Sequence, residues 1–268
     1  MAETVQRIPH ARSRAFLALC LLVPAPSLGI ACEMLWFEGP VGLSILGLTK
    51  VWILALPFLW TRFVDGERGT PFSRPRVEPS GAGASSAGAF TGAASTGAAS
   101  TSGPAPARDR GLLLGLITGL VGAAAVVLAY QFVLGERIDP TTVREMARAN
   151  GLLSPPSYLA VAVYICLLNS LLEEYVWRWF VYRRFETLVG RPAAVVLAAL
   201  AFTLHHSLLL GTQFGAELCW IGSTAVFVAG VAWSWQFART RGLWSPWLSH
   251  ALIDVAVFWA GWQILFVA

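Results

Sequence analysis

The sequence predicts an all-α membrane protein, a polytopic bundle of about seven transmembrane helices. Of its 268 residues, 56% are hydrophobic and 13% are charged, whereas soluble domains carry about 25% charged residues. Apolar runs of about 20 residues recur along the chain, which is the length that crosses the hydrocarbon core as a helix. These runs are continuous, so they do not fit the alternating pattern of a transmembrane β-barrel.

Seven apolar segments are predicted to span the membrane. Pro24 and Pro26 should kink the first of them, and Lys50 lies within the second. Between the third and fourth, residues 141–151 are expected to form a short interfacial helix that ends at Asn150-Gly151. The segments, numbered span 1 to span 7, lie at about 14–36, 41–63, 111–134, 157–182, 192–211, 215–238 and 243–266.

Composition divides the chain into three parts. Residues 1–64 carry two N-terminal spans, residues 65–110 form a polar segment, and residues 111–268 carry the remaining five spans as a bundle. The middle of the polar segment reads SGAGASSAGAFTGAASTGAASTSGPAPA, which is almost entirely Gly, Ala, Ser, Thr and Pro. Such a composition buries too little apolar area to offset the entropy of ordering, so we predict a disordered linker.

The distribution of arginine predicts a cytoplasmic N-terminus. With this orientation most Lys and Arg residues fall on the cytoplasmic side, while Arg137, Arg144 and Arg148 fall on the other. The net charge is +4, but no basic stripe interleaved with aromatic residues is present, so no nucleic-acid partner is predicted. We expect an integral protein of the plasma (inner) membrane with the lipid bilayer as its surroundings. The four cysteines form no C-x-x-C pair and are expected to be free and buried.

Two adjacent glutamates, Glu173 and Glu174, lie inside span 4, with Arg178 one turn later. A charge at the centre of a spanning helix costs about 2.5–3.5 kcal/mol on insertion scales, and the usual reason to carry it is function. Residues at i and i+4 share a helix face, so Glu174 and Arg178 should form a salt bridge. Glu173 points about 100° away, where Asn169 can hydrogen-bond it. Glu174 is then held in an ion pair, and Glu173 is free to titrate.

Three of the four histidines lie in apolar segments: His205 and His206 in span 5, and His250 in span 7. Phe202 and His206 are four residues apart, as are His250 and Asp254, so each pair shares a helix face. We assign no functional role to His205. The predicted catalytic set comprises four residues from three spans, which are Glu173, His206, His250 and Asp254.

This set could activate a water in two ways. Glu173 and His206 could act on it directly as general bases. Alternatively, His206, His250, Asp254 and Glu173 could hold a Zn²⁺ ion, which activates its bound water. The spacing leaves both a zinc site and a metal-free site open. A lone intramembrane Glu–Arg pair or a lone buried histidine is often structural, but three such motifs together are not readily explained that way.

At these residues the sequence resembles the CPBP family of intramembrane proteases, which includes CAAX prenyl endopeptidases and bacteriocin-processing enzymes. The family pattern is E-E-x-x-x-R, F-x-x-x-H and H-x-x-x-N or D, in that order. The resemblance covers residues 150–258 approximately and includes the run Gly242-LWSPWLSHALID. In this chain the motifs are Glu173-Glu174-x-x-x-Arg178, Phe202-x-x-x-His206 and His250-x-x-x-Asp254.

The resemblance implies a helical bundle that hydrolyses a peptide bond near a prenylated or hydrophobic C-terminus of a membrane-held peptide or protein. Glu173 would match the water-activating glutamate and His206 its partner. His250 and Asp254 would match the residues that stabilise the oxyanion or complete the site. Two positions differ from the residues usual in the family. Trp179 stands where a small residue is usual, and the last motif ends in Asp254 and not Asn, which makes it a poorer oxyanion donor and a better metal ligand.

Two other classes of function remain open from the sequence. One is a non-catalytic CPBP-like membrane protein, such as an immunity or scaffolding factor that keeps the fold. The other is a proton-coupled transporter, which is disfavoured because no inverted repeat or pair of broken helices is evident. Geometry separates the classes: an enzyme needs the four polar side chains within reach of one water, whereas a transporter needs them along a path.

Overall fold

The computed structural model describes residues 2–37, 39–67 and 107–267, and within these ranges side chains are described from Ala11 and from Gly111 onward. These ranges are helical and contain no strand. Among the described residues, seven helices are long and apolar enough to cross a membrane, so the predicted all-α fold class is confirmed. Spans 1 to 7 run over Ala11–Trp36, Pro40–Val64, Gly111–Leu134, Pro155–Val189, Arg191–Gln213, Ala216–Thr240 and Trp244–Val267.

Span 1 is irregular where its prolines were expected to kink it, and span 4 is longer than predicted. In span 1 the regular α-helix is interrupted at Val23, because Pro24 and Pro26 have no N–H to donate to the preceding turn. Span 4 continues to Val189, further than the predicted end at 182. The predicted linker lies outside the described residues over 68–106, and the division into three parts stays a prediction.

Cys20 is exposed, so the prediction that all four cysteines are buried was wrong.

A short helix, Pro140–Ala149, lies between spans 3 and 4, as predicted. Asp139 caps its start by accepting hydrogen bonds from the backbone N–H groups of Thr141 at 3.0 Å and Thr142 at 3.3 Å. The hydrogen bond from the Thr141 backbone is the main cause that lowers the pKa of Asp139 below its ordinary value. The helix ends at Ala149 with Asn150 as its C-cap, and Gly151 follows with a φ of 69°. Its interfacial position stays a prediction.

The hydrophobic core surrounds the second half of span 4. Val176, Trp177 and Phe180 are almost fully buried there, against residues of spans 1, 2, 5 and 6. Leu22 of span 1 and Trp60 of span 2 belong to the same cluster. The two N-terminal spans and the motif-bearing spans therefore share one core, which begins immediately after the two glutamates.

Ion pairs join the end of span 4 to residues that follow span 2 and span 6. Arg184 of span 4 pairs with Asp65 at 2.5 Å, and both side chains are largely buried. Arg241, just after span 6, pairs with Glu186 of span 4 at 2.7 Å. Arg183, Arg184 and Arg241 were among the cations that indicated this end of the bundle to be cytoplasmic, an orientation that stays a prediction.

Spans 3 and 7 run parallel and pack closely because glycines line the facing side of span 3. A Cβ atom added at Gly115 would lie 2.4 Å from the backbone oxygen of Ser245, and one added at Gly119 would lie 2.9 Å from the Cα atom of Ser249. Small residues at four-residue intervals allow membrane helices to approach until their backbones touch. This contact fixes span 7 immediately before His250.

We predict that Gly115→Ala lowers the thermal stability of the purified protein in detergent, because the new methyl group would meet a backbone oxygen. Overpacking of this kind costs about 1–3 kcal/mol. Gly47→Ala is the matched control, since an added Cβ there has no neighbour within 4 Å and alanine favours the helix by up to about 1 kcal/mol. Equal melting temperatures for the two variants would contradict close packing of spans 3 and 7.

Candidate active site

The two glutamates occupy an irregular part of span 4. Glu173 and Glu174 end a short α-helical segment, Ser170–Glu174, which lies between the wider π-helical segments Tyr164–Asn169 and Tyr175–Tyr182. π-Helical turns are rare and are found frequently at functional sites. The helix that presents the acids therefore departs from regular α-geometry on both sides of them.

Glu174 is fully buried and has two partners. Its Oε1 atom lies 3.1 Å from Nη1 of Arg178, which is the predicted ion pair. The same oxygen accepts a hydrogen bond from Nδ1 of His250 at 2.8 Å, a contact between spans 4 and 7 that was not predicted. The guanidinium of Arg178 lies against the rings of Phe202, at 4.6 Å, and Trp233, at 5.1 Å. Glu174 thus joins span 4 to span 7 inside the bundle.

His250 is fixed at its Nδ1 atom, so its Nε2 atom faces the other acids. Nε2 lies 3.7 Å from Oε2 of Glu173 and 3.7 Å from Oδ1 of Asp254. The indole of Trp233 stacks on the imidazole, with ring centroids 3.9 Å apart and an angle of 17° between the planes. The hydrogen bond to Glu174 therefore orients the His250 ring, and stacking on Trp233 fixes the plane of that ring.

A buried chain of hydrogen bonds fixes Trp233 in turn. Its Nε1–H donates to Oγ of Ser249 at 3.1 Å, and the hydroxyl of Thr118 in span 3 donates to the same oxygen at 3.2 Å. Gln236 donates to Thr118 at 3.0 Å and accepts from Ser245 at 2.9 Å. This network was not predicted, although a glutamine within an apolar span is a signal of a buried polar contact.

Glu173 lies between the histidines of spans 5 and 7. Its Oε1 atom accepts the predicted hydrogen bond from Nδ2 of Asn169 at 2.9 Å. Nδ1 of His206 donates to the backbone oxygen of Phe202 at 3.1 Å, which leaves the Nε2 lone pair of His206 free of that bond. One ligand atom from each of Glu173, His205 and His206 lies within 4.8 Å of the others. The structure therefore brings acids and imidazoles from three spans together.

Accessibility differs sharply between the two glutamates. The side chain of Glu173 is 23% exposed, whereas that of Glu174 is sealed in the core. Asp254 is also partly exposed, at 19%. Among the predicted site residues, Glu173 and Asp254 can thus contact a water or a substrate, and Glu174 can act only through its protein partners. The catalytic role of each residue stays a prediction.

The donor chemistry of the site fits a divalent cation such as Zn²⁺. Carboxylate oxygen and imidazole nitrogen are both common zinc ligands, and Glu173, His205 and His206 supply them within one group. The carbonyl that orients His206 is the kind of outer partner that metal-binding histidines use. His250 and Asp254, which the predicted metal set included, lie outside this group. His205, which had been given no role, lies inside it.

One protein-family model matches the segment that contains the three motifs. Residues 155–256 match the family described as Type II CAAX prenyl endopeptidase Rce1-like. The chain carries a CPBP-family domain. The predicted family is thereby confirmed, and the matched CPBP segment contains all the motif residues. No curated protein and no solved structure matches the chain.

Trp179, where the CPBP pattern has a small residue, is buried in the hydrophobic core. Its indole stacks on the ring of Tyr175, with centroids 5.3 Å apart and planes inclined by 17°. The Arg183 guanidinium lies 5.7 Å from the same indole. This departure from the family pattern therefore adds packing to the second half of span 4.

We predict that Glu174→Gln and Arg178→Leu each lower the thermal stability strongly, because each leaves an unpaired charge in the core at a cost of about 3–5 kcal/mol. Glu67→Gln is the matched control, since Glu67 pairs with Arg183 at a site where both side chains are more than one-third exposed. Such exposed pairs contribute about 0–1 kcal/mol. Melting curves in detergent measure the difference, and similar losses for all three variants would contradict a structural role for the buried pair.

Proposed function

We propose that this protein is an intramembrane endopeptidase that hydrolyses a peptide bond near a hydrophobic or prenylated C-terminus. The observation that carries the proposal is the position of Glu173. Its Oε1 accepts a hydrogen bond from Asn169 at 2.9 Å, and its Oε2 lies 3.7 Å from Nε2 of His250. One of its oxygens also lies within 4.8 Å of a ring nitrogen of His206. A partly exposed carboxylate beside two oriented imidazoles is suited to general acid–base catalysis.

Glu173 would act as the general base. It takes a proton from a water whose oxygen attacks the carbonyl carbon of the substrate, and His206 orients that water through its free Nε2 atom. A carbon–oxygen bond forms, and the carbonyl oxygen becomes an oxyanion. Glu173 then gives the proton to the departing amine nitrogen as the carbon–nitrogen bond breaks. One residue can serve as base and then as acid because it holds the proton between the two steps.

His250 would stabilise the oxyanion. Its Nδ1–H is committed to Glu174, so it would donate to the developing charge as an imidazolium, which carries a second proton on Nε2. Trp233 and Glu174 hold the ring so that little reorganisation accompanies the reaction. Asp254 lies beside the same Nε2 atom. As an anion it can accept a hydrogen bond from the imidazole but cannot itself donate to an oxyanion.

The site also fits a catalytic metal. Glu173, His205 and His206 are the residues that would hold it, and Zn²⁺, when bound, supplies a Lewis acid that polarises a water or a carbonyl. The roles of the remaining residues do not depend on this choice. His250 would still face the reacting carbonyl, and Glu174 would still orient His250.

The clustering of the acids favours an enzyme over a transporter. Glu173, Asp254 and the imidazoles lie around one point in the bundle, whereas a proton path would distribute them along its length. A scaffolding or immunity protein with this fold would have no need of a partly exposed glutamate between oriented histidines. We propose that the protein lies in the plasma (inner) membrane. Its arginine distribution favours a cytoplasmic N-terminus.

We predict that Glu173→Gln abolishes peptide cleavage but folds normally, because the amide keeps the shape and the Asn169 neighbour but cannot take a proton. Loss of a general base lowers turnover by about 10²–10⁴-fold. The assay would use the full chain in detergent, with a prenylated CAAX peptide and the same peptide without the prenyl group, and mass spectrometry of the products.

Glu217→Gln is the matched control for this assay, because Glu217 is an exposed acid paired with Arg137 outside the site. Wild-type turnover by Glu173→Gln would refute the proposal. The natural substrate would be sought by proteomics of membrane fractions from cells that express wild-type protein or Glu173→Ala. A substrate should accumulate uncut only in the variant.

A further inference from the structure

The only lysine of the chain, Lys50, lies inside span 2 and is exposed. No ion pair or hydrogen bond joins its ammonium group to another described residue. An ionised side chain within a spanning helix is costly, and it usually faces a polar cavity or a partner of opposite charge. The proposed function gives Lys50 no role, so its charge requires a separate explanation.

The side chain of Lys50 leaves span 2 on the face that packs into the bundle. Residues four apart share a helix face, and both neighbours of Lys50 on its face point inward. One turn before it, Leu46 lies where a Cβ atom added at Gly29 of span 1 would touch it. One turn after it, Leu54 packs against the hydrophobic core. Pro57, further along the same face, is fully buried.

This inward face is covered in the second half of span 2 and open in the first half. Gly47 and Leu43 lie on the same side of the helix as Lys50, about one and two turns before it. A Cβ atom added at Gly47 has no neighbour within 4 Å, and Leu43 is exposed. Lys50 therefore lies at the inner end of an open stretch of the face that otherwise packs against spans 1 and 4.

Lys50 also lies at nearly the same depth in the membrane as Glu173. The Tyr175 hydroxyl donates to the backbone oxygen of Leu54, 121 positions away, and the ion pair at the ends of spans 2 and 4 joins residues 119 positions apart. The two spans therefore run parallel, and this register places Lys50 level with residues 169–171. At 1.5 Å per residue, its depth is within about 6 Å of that of Glu173.

We propose that Lys50 binds the free C-terminal carboxylate of the peptide substrate and so selects for peptides that are cut close to their C-terminus. This inference rests on the proposed function, because it assigns a specificity residue to the same site. A substrate whose C-terminus lies at the depth of Glu173 brings a carboxylate into the membrane, where an unpaired anion is costly. A charge-assisted hydrogen bond to Lys50 offsets both charges.

The depth of Lys50 favours a peptide carboxylate over the phosphate of a lipid. Span 2 runs over Pro40–Val64, so Lys50 lies about 15 Å from one end and about 21 Å from the other. The hydrocarbon core extends about 15 Å to either side of its centre. The four-carbon stem of a lysine does not cover that distance, and the headgroups at both surfaces are out of its reach.

Peptide binding tests this assignment independently of turnover. The full chain with Glu173→Gln, in which cleavage is expected to be abolished, would be purified in detergent and titrated with a fluorescent prenylated CAAX peptide. The peptide would carry either a free C-terminal carboxylate or a C-terminal amide, and fluorescence anisotropy would give the two dissociation constants. We expect the carboxylate form to bind about 10–100-fold more tightly, as one hydrogen bond between charged groups predicts.

Lys50→Met, added to the same chain, removes the charge but keeps an unbranched side chain. It should bind both peptides with the affinity of the amide form, and Lys50→Arg should restore the preference for the carboxylate. Arg62→Met is the matched control, since it removes an exposed cation from the same span about 18 Å away. Its preference should be unchanged. Lys50→Met should not lower the melting temperature, because Lys50 pairs with no described acid.

Equal binding of the two peptides before Lys50 is changed would overturn this role, as would no binding of either peptide or a full preference in Lys50→Met. If Lys50 instead pairs with an anionic phospholipid or an acid of a second chain, native mass spectrometry would show that partner lost in Lys50→Met while the preference persists. The proposed function fails separately, if Glu173→Gln still cleaves the peptide. Equal cleavage of both peptides by the wild type would leave the peptidase standing and remove only the carboxylate site.

Discussion

The buried carboxylate of Glu174 is the constraint on which the site depends. A sealed anion inside a membrane bundle must be compensated, and here two groups from different parts of the chain compensate it: Arg178 one turn away and His250 from span 7. Removal of Arg178 would leave the Glu174 carboxylate as an uncompensated buried charge, and removal of Glu174 would do the same to the Arg178 guanidinium. The electrostatic need of one residue thus fixes the distance between spans 4 and 7 and the orientation of the imidazole that faces Glu173.

The packing of spans 3, 6 and 7 helps to hold His250 and Arg178 in position. Glycines on span 3 let span 7 approach closely, and the hydroxyl of Thr118 then reaches the network that holds Trp233. Trp233 contacts both His250 and Arg178. A change in the packing of spans 3 and 7 would therefore alter the position of the His250 imidazole through the indole of Trp233.

Much of the fold was predictable because the membrane imposes simple rules. Continuous apolar runs revealed the seven spans, and the i, i+4 relation revealed the pairing of Glu174 with Arg178 and of Asn169 with Glu173, since these contacts are local. The end of span 4 was predicted too early because arginines 183 and 184 look like loop residues. In the structure they are paired with acids that follow span 2.

Contacts between distant parts of the chain were not predictable from spacing. The bond from His250 to Glu174 joins residues separated by 76 positions, and the stacking of Trp233 on His250 depends on the crossing of two spans. His205 was set aside because a lone buried histidine is commonly satisfied by a carbonyl. Its unpaired Nδ1 atom and its distance to Glu173 became visible only in three dimensions.

The shared core has a consequence for the covalent continuity of the chain. Leu22 and Trp60, from the two N-terminal spans, pack in the same cluster as Val176 and Phe180 of span 4, and Asp65 pairs with Arg184 across the same boundary. These contacts do not require an unbroken backbone between residues 68 and 106. A protease cut there would leave two fragments that stay bound, so the protein could be produced as two separate polypeptides that assemble in the membrane.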